Sequence, residues 1–305
     1  MRLFSVVIPS FNRLALLRDA LESVFAQRFN DFEVIVADDG STDGTTDYLH
    51  SLGQRIKCYR QPKQGPGAAR NLGARHATGK YLAFLDSDDL WFPWTLEVYR
   101  DVIRDHHNPP FLAGKPYVFF VDDELDKVTP AAVRAEGFAD YLASGDRWRW
   151  WGASSFIIRR DVFVAVEGFT DKWVNAEDAD LALRLGVAGT FVQVTSPVTF
   201  AYREHAASAV SDLNRTCAGA CYMVSAEKAG EYPGGTARAS ERRRILTRHT
   251  RPVVFGCLKE GLRREAWALY RATFAWNAAL RRGRYLVAFP VFAALSHLRE
   301  RGPQI

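Results

Sequence analysis

The sequence predicts an α/β fold: a mostly parallel sheet with helices on both faces, followed by a helical C-terminal extension. Residues 3–8 form a short apolar run rich in β-branched side chains, which is typical of a strand. Residues 12–28 then carry apolar side chains at helical spacing. The same order of strand and helix recurs along the first 105 residues, and this repetition indicates a parallel sheet.

The later elements of this first part repeat the pattern in order. The predicted pairs of strand and helix are 32–37 with 42–52, 56–60 with 66–77, and 81–85 with 93–104. Nearly continuous apolar strands are typical of a sheet that is covered on both faces. Ligands of such sheets bind at the carboxyl ends of the strands, so the residues that follow each strand are the candidate site.

Beyond residue 105 the regular alternation stops. Residues 106–230 contain several tryptophans and one further predicted strand, 191–194. A Pro-Gly-Gly linker within 231–236 precedes the last part, 238–305, for which the spacing of apolar residues predicts three amphipathic helices. We therefore expect three parts, 1–105, 106–230 and 238–305.

Composition and charge exclude several classes of protein. The chain has 305 residues, 48% hydrophobic and 25% charged, which excludes intrinsic disorder. Four cysteines are too few for a disulfide scaffold, so we interpret them as free thiols of a reducing, cytoplasmic compartment. No apolar run reaches the roughly 20 residues of a spanning helix, and residues 1–9 do not resemble a signal peptide.

The basic residues are concentrated in the last part of the chain. Residues 238–305 contain 15 Lys and Arg against 4 Asp and Glu, a balance of +11, whereas residues 1–237 contain 25 against 31. This asymmetry favours an anionic partner, either phospholipid headgroups or nucleic acid, with a merely solvated helical bundle as the alternative. Aromatic residues at helical spacing fit packing or membrane contact better than base stacking, so no nucleic acid is expected.

Acidic residues follow two of the predicted strands. Asp38 and Asp39 follow the second strand, and Asp86, Asp88 and Asp89 follow the fourth. Such residues also cap helices and form turns, but caps do not require three acids in four positions. Their mutual repulsion would be relieved by a cation, and an Asp-x-Asp suits Mg²⁺ or Mn²⁺ held jointly with a diphosphate.

Two further features point to chemistry at the same edge. A carboxylate such as Asp39 can accept the N3–H of uracil while Phe11 lies against the ring. In the helix predicted at 175–185, Glu177 and Asp178 either favour the positive helix end or provide a general base for an acceptor hydroxyl.

Several segments taken together resemble glycosyltransferase family 2 with the GT-A fold. They cover roughly residues 1–210 and are, in order, SVVIPSFNR, VIVADDGSTDGT, GPGAARNLGARHATGKYLAFLDSDD, FIIRRDVFVAVEGF and NAEDADLALRL. The resemblance implies an inverting transfer from a nucleotide-sugar, usually a UDP-sugar, with one divalent cation. It makes residues 1–105 the nucleotide-sugar-binding half and 106–230 the half that binds the acceptor and carries the base.

The resemblance also assigns roles to individual residues. The nucleotide-binding positions it implies are Pro9, Phe11, Asn12, Asp39, Arg70, Asp86 and Arg203. The metal positions are Asp86, Asp88 and, from a stretch similar to YRxHxxS, His205. The catalytic position is Asp178, the base, in its pair with Glu177.

The expected function is hexosyl transfer to a glycan or lipid-linked acceptor in bacterial cell-surface polysaccharide or glycoconjugate synthesis. The expected location is the cytoplasm, with a peripheral position on the cytoplasmic face of the plasma membrane if the basic helices dock there. The alternatives are a non-catalytic nucleotide-sugar-binding protein and a sugar-phosphate nucleotidyltransferase. The latter needs a Gly-rich basic loop where this sequence has Pro-Ser-Phe-Asn-Arg, residues 9–13. Residues 167–171, Glu-Gly-Phe-Thr-Asp, depart from the family pattern, and residues 89–152 match no subfamily, so the acceptor cannot be read from them.

Overall fold

The structure, a computed structural model, describes residues 2–120, 122–145, 152–172, 174–204 and 212–300. Within these residues the chain forms two compact units. The first comprises 2–144, 152–172 and 177–204, and the second comprises Gly145, 174–176 and 212–300. The limit predicted at residue 230 thus falls inside the second unit.

The first unit alternates strands and helices as far as residue 105, as the sequence predicts. Its strands are β1 (Phe4–Ser10), β2 (Phe32–Asp38), β3 (Lys57–Arg60), β4 (Tyr81–Phe84), β5 (Leu90–Trp91), β6 (Phe111–Ala113), β7 (Pro116–Phe119), β8 (Arg134–Phe138), β9 (Phe156–Arg159), β10 (Phe191–Ser196) and β11 (Phe200–Arg203). Its helices are α1 (Leu14–Phe25), α2 (Thr45–Ser51), α3 (Pro66–Arg75), α4 (Thr95–Asp105), α5 (Tyr141–Ser144), α6 (Arg160–Ala165) and α7 (Glu177–Arg184).

Eight of these strands form one sheet in the order β3-β2-β1-β4-β9-β6-β10-β8. The pairs of β1 with β2 and β4, of β2 with β3, and of β6 with β10 are parallel, whereas β9 and β8 run antiparallel to their neighbours. A second, three-stranded sheet has the order β5-β11-β7. All seven residues of β1 are buried, as expected for a central strand covered on both faces.

Helix α3 lies very close to β1. A Cβ added at Gly73 would lie 2.5 Å from Cγ1 of Val7, so only glycine allows this approach without displacement. The helix carries Arg70 one turn before Gly73 and is fixed against the central strand by this contact. The position of Arg70 at the end of the sheet follows from that packing.

The second unit is helical. It contains α8 (Leu213–Ala229), α9 (Ala239–Lys259), α10 (Arg263–Ala279) and α11 (Gly283–Glu300), and α9 packs against each of the other three. The last three are the helices predicted from residue 238 onward. Within residues 2–120, 122–145, 152–172, 174–204 and 212–300, no helix has the length and apolar character needed to cross a membrane.

The linker between α8 and α9 is held by a buried arginine. Arg242 pairs with Glu227 at 2.6 Å and donates hydrogen bonds to the carbonyl oxygens of Pro233 and Gly235 at 2.8 and 2.9 Å. The Pro-Gly-Gly segment is therefore tied to α9 on one side and to α8 on the other. This explains why α8 belongs to the same unit as the basic helices.

Candidate active site

The carboxyl ends of β1, β2 and β4 lie side by side. The backbone N–H of Asp39 donates to the carbonyl of Ser10 at 2.8 Å, and that of Leu85 donates to the carbonyl of Val7 at 3.1 Å. Pro9 is buried within β1 itself. The loops that follow these three strands therefore start from adjacent points, and we call this edge of the sheet the strand-end rim.

Asn12 joins the first two of these loops. It has a φ of 49°, a left-handed conformation that asparagine tolerates better than most residues. Its side-chain oxygen accepts the N–H of Thr42 at 2.7 Å, and its own N–H donates to Oγ of Ser41 at 3.0 Å. Beside it, the Nζ of Lys63 lies 3.7 Å from the centroid of the Phe11 ring.

Asp39 is buried and its carboxylate is largely engaged by the loop after β3. It accepts hydrogen bonds from Nε2 of Gln61 and from the backbone N–H groups of Gln64 and Gly65, each at 2.8 Å. A carboxylate offers about four acceptor positions, so three described bonds leave capacity for a further donor. Asp39 thus both fixes this loop and can accept a hydrogen bond from a bound base.

The acidic loop after β4 brings three carboxylates together. One oxygen atom from each of Asp86, Asp88 and Asp89 lies within 4.8 Å of the other two. Asp89 is buried, and its pKa lies well above the ordinary range because of burial and the charges of Asp88 and Asp86. Clustered carboxylate oxygens are the ligands that Mg²⁺ and Mn²⁺ prefer, and a cation would relieve this repulsion.

Three arginines surround this acidic loop and balance its charge. The described contacts are the ion pair of Arg13 with Asp88, that of Arg70 with Asp86 at 2.5 Å, and the hydrogen bond from the N–H of Arg203 to Asp89 at 3.1 Å. The Nε of Arg203 also donates to the carbonyl of Asp88 at 3.1 Å. These contacts therefore tie the acidic loop to the residue before α1, to α3 and to β11.

Arg70 links the acidic loop to helix α7. Its guanidinium is almost wholly buried and contacts both Asp86 and Oε1 of Glu177, the latter at 2.9 Å. The resemblance implied that Arg70 binds the nucleotide and that Glu177 is the neighbour of the catalytic base Asp178. In the structure they form one ion-paired bridge across the strand-end rim.

Asp178 follows Glu177 in the first turn of α7. Burial and the neighbouring charge of Glu177 raise the pKa of Asp178 to about 7. Its Oδ1 accepts the N–H of Ala179 at 2.6 Å, and a Cβ added at Gly152 would lie 3.5 Å from its Oδ2. A carboxylate with a pKa near 7 is suited to accept a proton at neutral pH.

The structure brings most of the sequence-predicted residues to this rim, and His205 lies outside the described residues. Sequence reasoning gave no role to Arg13, although it directly follows Phe11 and Asn12. Asp89 was singled out only for its repulsion, yet its oxygen lies as close as those of the two predicted ligands. Asp171, in the departing segment, is exposed.

A mostly parallel sheet with an acidic loop at the carboxyl end of β4 is typical of the GT-A fold. Residues 5–152 match the family described as glycosyl transferase family 2. This segment, just under half of the chain, belongs to glycosyl transferase family 2.

Three known proteins illustrate the similarity. The succinoglycan biosynthesis protein ExoW of Rhizobium meliloti is 45% identical over 108 residues, which cover 33% of this chain and 34% of that protein. The GalNAc(5)-diNAcBac-PP-undecaprenol beta-1,3-glucosyltransferase of Campylobacter jejuni is 42% identical over 90 residues, 28% of this chain and 29% of that protein. The crystal structure of S. aureus TarS 1-349 has a TM-score of 0.60 at 21% identity, covering 81% of this chain and 71% of that one, and shares the fold.

The similarity to curated relatives covers part of each protein. The chain spans 15 to 17% of the length of three curated Rickettsia relatives and about half of one from Nostoc. These similarities therefore show the family of residues 5–152 and the fold of the chain.

Proposed function

We propose that this chain transfers a hexose from a UDP-sugar to a hydroxyl of a glycan or lipid-linked acceptor, with inversion at the anomeric carbon. The reaction would serve bacterial cell-surface polysaccharide or glycoconjugate synthesis. The observation that carries this proposal is the bridge through Arg70, which ties the acidic loop to the helix that carries Asp178. The residues proposed to bind the donor and the base proposed to act on the acceptor thereby lie at the same strand-end rim.

Asp178 is the proposed general base. Its Oδ2 removes the proton from the acceptor hydroxyl as that oxygen attacks the anomeric carbon from the face opposite the leaving diphosphate. Glu177 supports this role, because its ion pair with Arg70 anchors the first turn of α7 and its charge raises the pKa of Asp178. The absence of a side chain at Gly152 supports access to Oδ2.

The metal is proposed at the acidic loop. Asp86 and Asp88 would hold Mg²⁺ or Mn²⁺, with Asp89 as the nearest further carboxylate and His205 as a proposed ligand from outside the described residues. When bound, the cation supplies neutralising charge to a diphosphate leaving group. Arg203 lies beside this loop and is proposed to contact the same phosphates.

The donor is proposed to carry uridine. Asp39 has acceptor capacity for the N3–H of uracil, and Phe11 offers an aromatic face beside it once Lys63 moves aside. TarS has been crystallised with UDP and with UDP-GlcNAc, which supports this donor class. A mannosyltransferase of Pyrobaculum calidifontis, with a TM-score of 0.53, was solved with GDP-Man and Mn²⁺ and supports the use of a metal.

Release of UDP from UDP-sugars in the presence of Mn²⁺ tests this function. We expect slow hydrolysis that stops when Mn²⁺ is chelated. A non-catalytic nucleotide-sugar-binding protein would bind UDP with Mn²⁺ and release none from the sugar. That result would contradict the proposed enzymatic activity and favour a nucleotide-sugar-binding protein.

We further propose that the helical unit contacts an anionic membrane surface on the cytoplasmic side. Helix α11 has two apolar faces: Tyr285, Phe289 and Ala293 are buried, and Phe289 stacks on Tyr270 with 4.3 Å between ring centroids. The opposite face exposes Val287, Val291 and Leu295 by 52 to 68%. Phe292 is 49% exposed and contacts the ring of Phe255 in α9, with 5.8 Å between ring centroids. A surface helix is ordinarily polar on its outer side, so this face favours an apolar partner.

The charges favour lipid as that partner. Arg284 lies three residues before Val287 and therefore on the same face of α11, and Arg281 is exposed just before the helix. Apolar side chains at the acyl boundary with arginines at the headgroups are typical of interfacial helices. The undecaprenol named in the Campylobacter jejuni relative supports a lipid-linked acceptor for this chain.

Substituting Val291→Asp is expected to weaken binding to anionic vesicles by about tenfold or more, since it places a charge in the apolar face. Co-sedimentation with vesicles containing phosphatidylglycerol measures this, and high salt should release the wild-type chain. Val164→Asp is the matched control, because Val164 lies on the first unit and is exposed by 65%, against 52% for Val291. Equal binding of both variants would contradict the docking face.

A further inference from the structure

Arg13 is ion-paired with the metal-ligand candidate Asp88. It directly precedes α1, at the end of the loop that follows β1. Asp88 offers a carboxylate that a divalent cation also needs, so the guanidinium and the cation compete for the same negative charge. A guanidinium beside a bound dication is repelled by it.

Of the three arginines around the acidic loop, Arg13 has the most exposed side chain. Its side chain is 26% exposed, against 5% for Arg70 and 14% for Arg203. Arg70 is held between two carboxylates, and Arg203 is bonded to the loop through its own backbone N–H and Nε.

The backbone on both sides of Arg13 is held by hydrogen bonds, so a displacement of Arg13 would involve its side chain alone. Asn12 is anchored by Ser41 and Thr42, and the N–H of Leu14 donates to Asp43 at 3.0 Å. An arginine side chain rotates readily about such a fixed point. The guanidinium of an arginine can also donate bidentate hydrogen bonds to phosphate oxygens.

We propose that Arg13 acts as a cationic substitute for the metal in the nucleotide-free protein and passes from Asp88 to the diphosphate when metal and nucleotide bind. This inference rests on the proposed function, because it assumes the metal and the diphosphate at this loop. Arg13 thereby weakens metal binding to the free protein and strengthens nucleotide binding to the metal-loaded protein. Metal is retained mainly when donor is present.

The test is a pair of binding measurements on full-length Arg13→Gln. We expect the affinity of the nucleotide-free protein for Mn²⁺ to increase by about fivefold or more. The electron paramagnetic resonance signal of unbound Mn²⁺ measures this affinity. We expect UDP binding at saturating Mn²⁺, measured by calorimetry, to weaken by about tenfold or more. Arg18→Gln in the adjoining helix α1 is the control, because Arg18 lies over the Tyr48 ring and its substitution should change neither value.

The outcomes separate the two proposals. If the wild-type chain binds neither Mn²⁺ nor UDP, the proposed function fails and this inference fails with it. If the wild-type chain binds both and Arg13→Gln changes neither affinity, or weakens both, Arg13 is structural and the inference is overturned. Arg13→Lys, which keeps the charge, guards against a folding defect: it should leave Mn²⁺ affinity near wild type, and a tightening equal to that of Arg13→Gln would contradict the charge argument.

Discussion

Asp178→Asn is expected to lower turnover by about 10²- to 10⁴-fold, because the amide keeps the shape of the side chain and loses its basicity. UDP binding with Mn²⁺ should persist, since Asp178 is not proposed to contact the nucleotide. Steady-state rates of UDP release and calorimetric UDP binding measure the two effects. Glu177→Gln is the matched comparison, and we expect a smaller loss because Glu177 acts through Arg70.

The pH profile of the wild-type enzyme also tests whether Asp178 is the general base. Asp178 has its pKa raised to about 7, and a base must be ionised to act, so kcat/KM should fall about tenfold per pH unit below pH 7. The fall should be absent in Asp178→Asn. If Glu177→Gln instead loses turnover and the pH dependence while Asp178→Asn retains both, Glu177 is the base.

Asp88→Ala is expected to abolish the dependence of UDP binding on Mn²⁺ and to reduce turnover by about 10²-fold or more, because it removes a ligand that positions charge at the leaving group. Calorimetric titration with UDP, with and without Mn²⁺, measures the first effect. Asp47→Asn, an exposed acid on α2, is the control for a general loss of negative charge. Wild-type turnover in Asp88→Ala would contradict the assignment of the metal site to the acidic loop.

Much of the first unit could be predicted because its signals are local. The strand at 3–8 and the helix at 66–77 rest on periodicity within a few residues, and both are confirmed within two residues at each end. The predicted helix at 42–52 begins later, at Thr45, because Gly44 has a left-handed φ of 87°. The short strands β5, β6, β7, β8 and β11 were not predicted, since runs of two to five residues have no readable period.

The candidate site was predictable in its residue types and not in its pairings. The run of acids at 86–89 marks the loop in the sequence, but the bridge from Asp86 through Arg70 to Glu177 depends on the contact of Arg70 with Glu177, which lie 107 positions apart. No local pattern reports such a contact. Arg13 was missed for the same reason, because its partner Asp88 lies 75 positions away.

The second unit shows a similar limit. Composition and periodicity predict the three basic helices, and α9, α10 and α11 confirm them. Helix α8 was not predicted, and its attachment to α9 depends on the buried pair of Glu227 and Arg242. Which face of α11 remains exposed is decided by the packing of Phe289 on Tyr270, which sequence alone does not give.

The stereochemistry of transfer tests the central claim most directly. We propose that a hydroxyl deprotonated by Asp178 attacks the anomeric carbon in a single displacement, so the product configuration must be inverted. Methanol can replace the unidentified acceptor, and a methyl glycoside does not interconvert between anomers in neutral solution. With a UDP-α-sugar and Mn²⁺, proton NMR should show the methyl β-glycoside, formed by the wild-type chain and absent with Asp178→Asn. Formation of the methyl α-glycoside would contradict both the inverting mechanism and the role of Asp178.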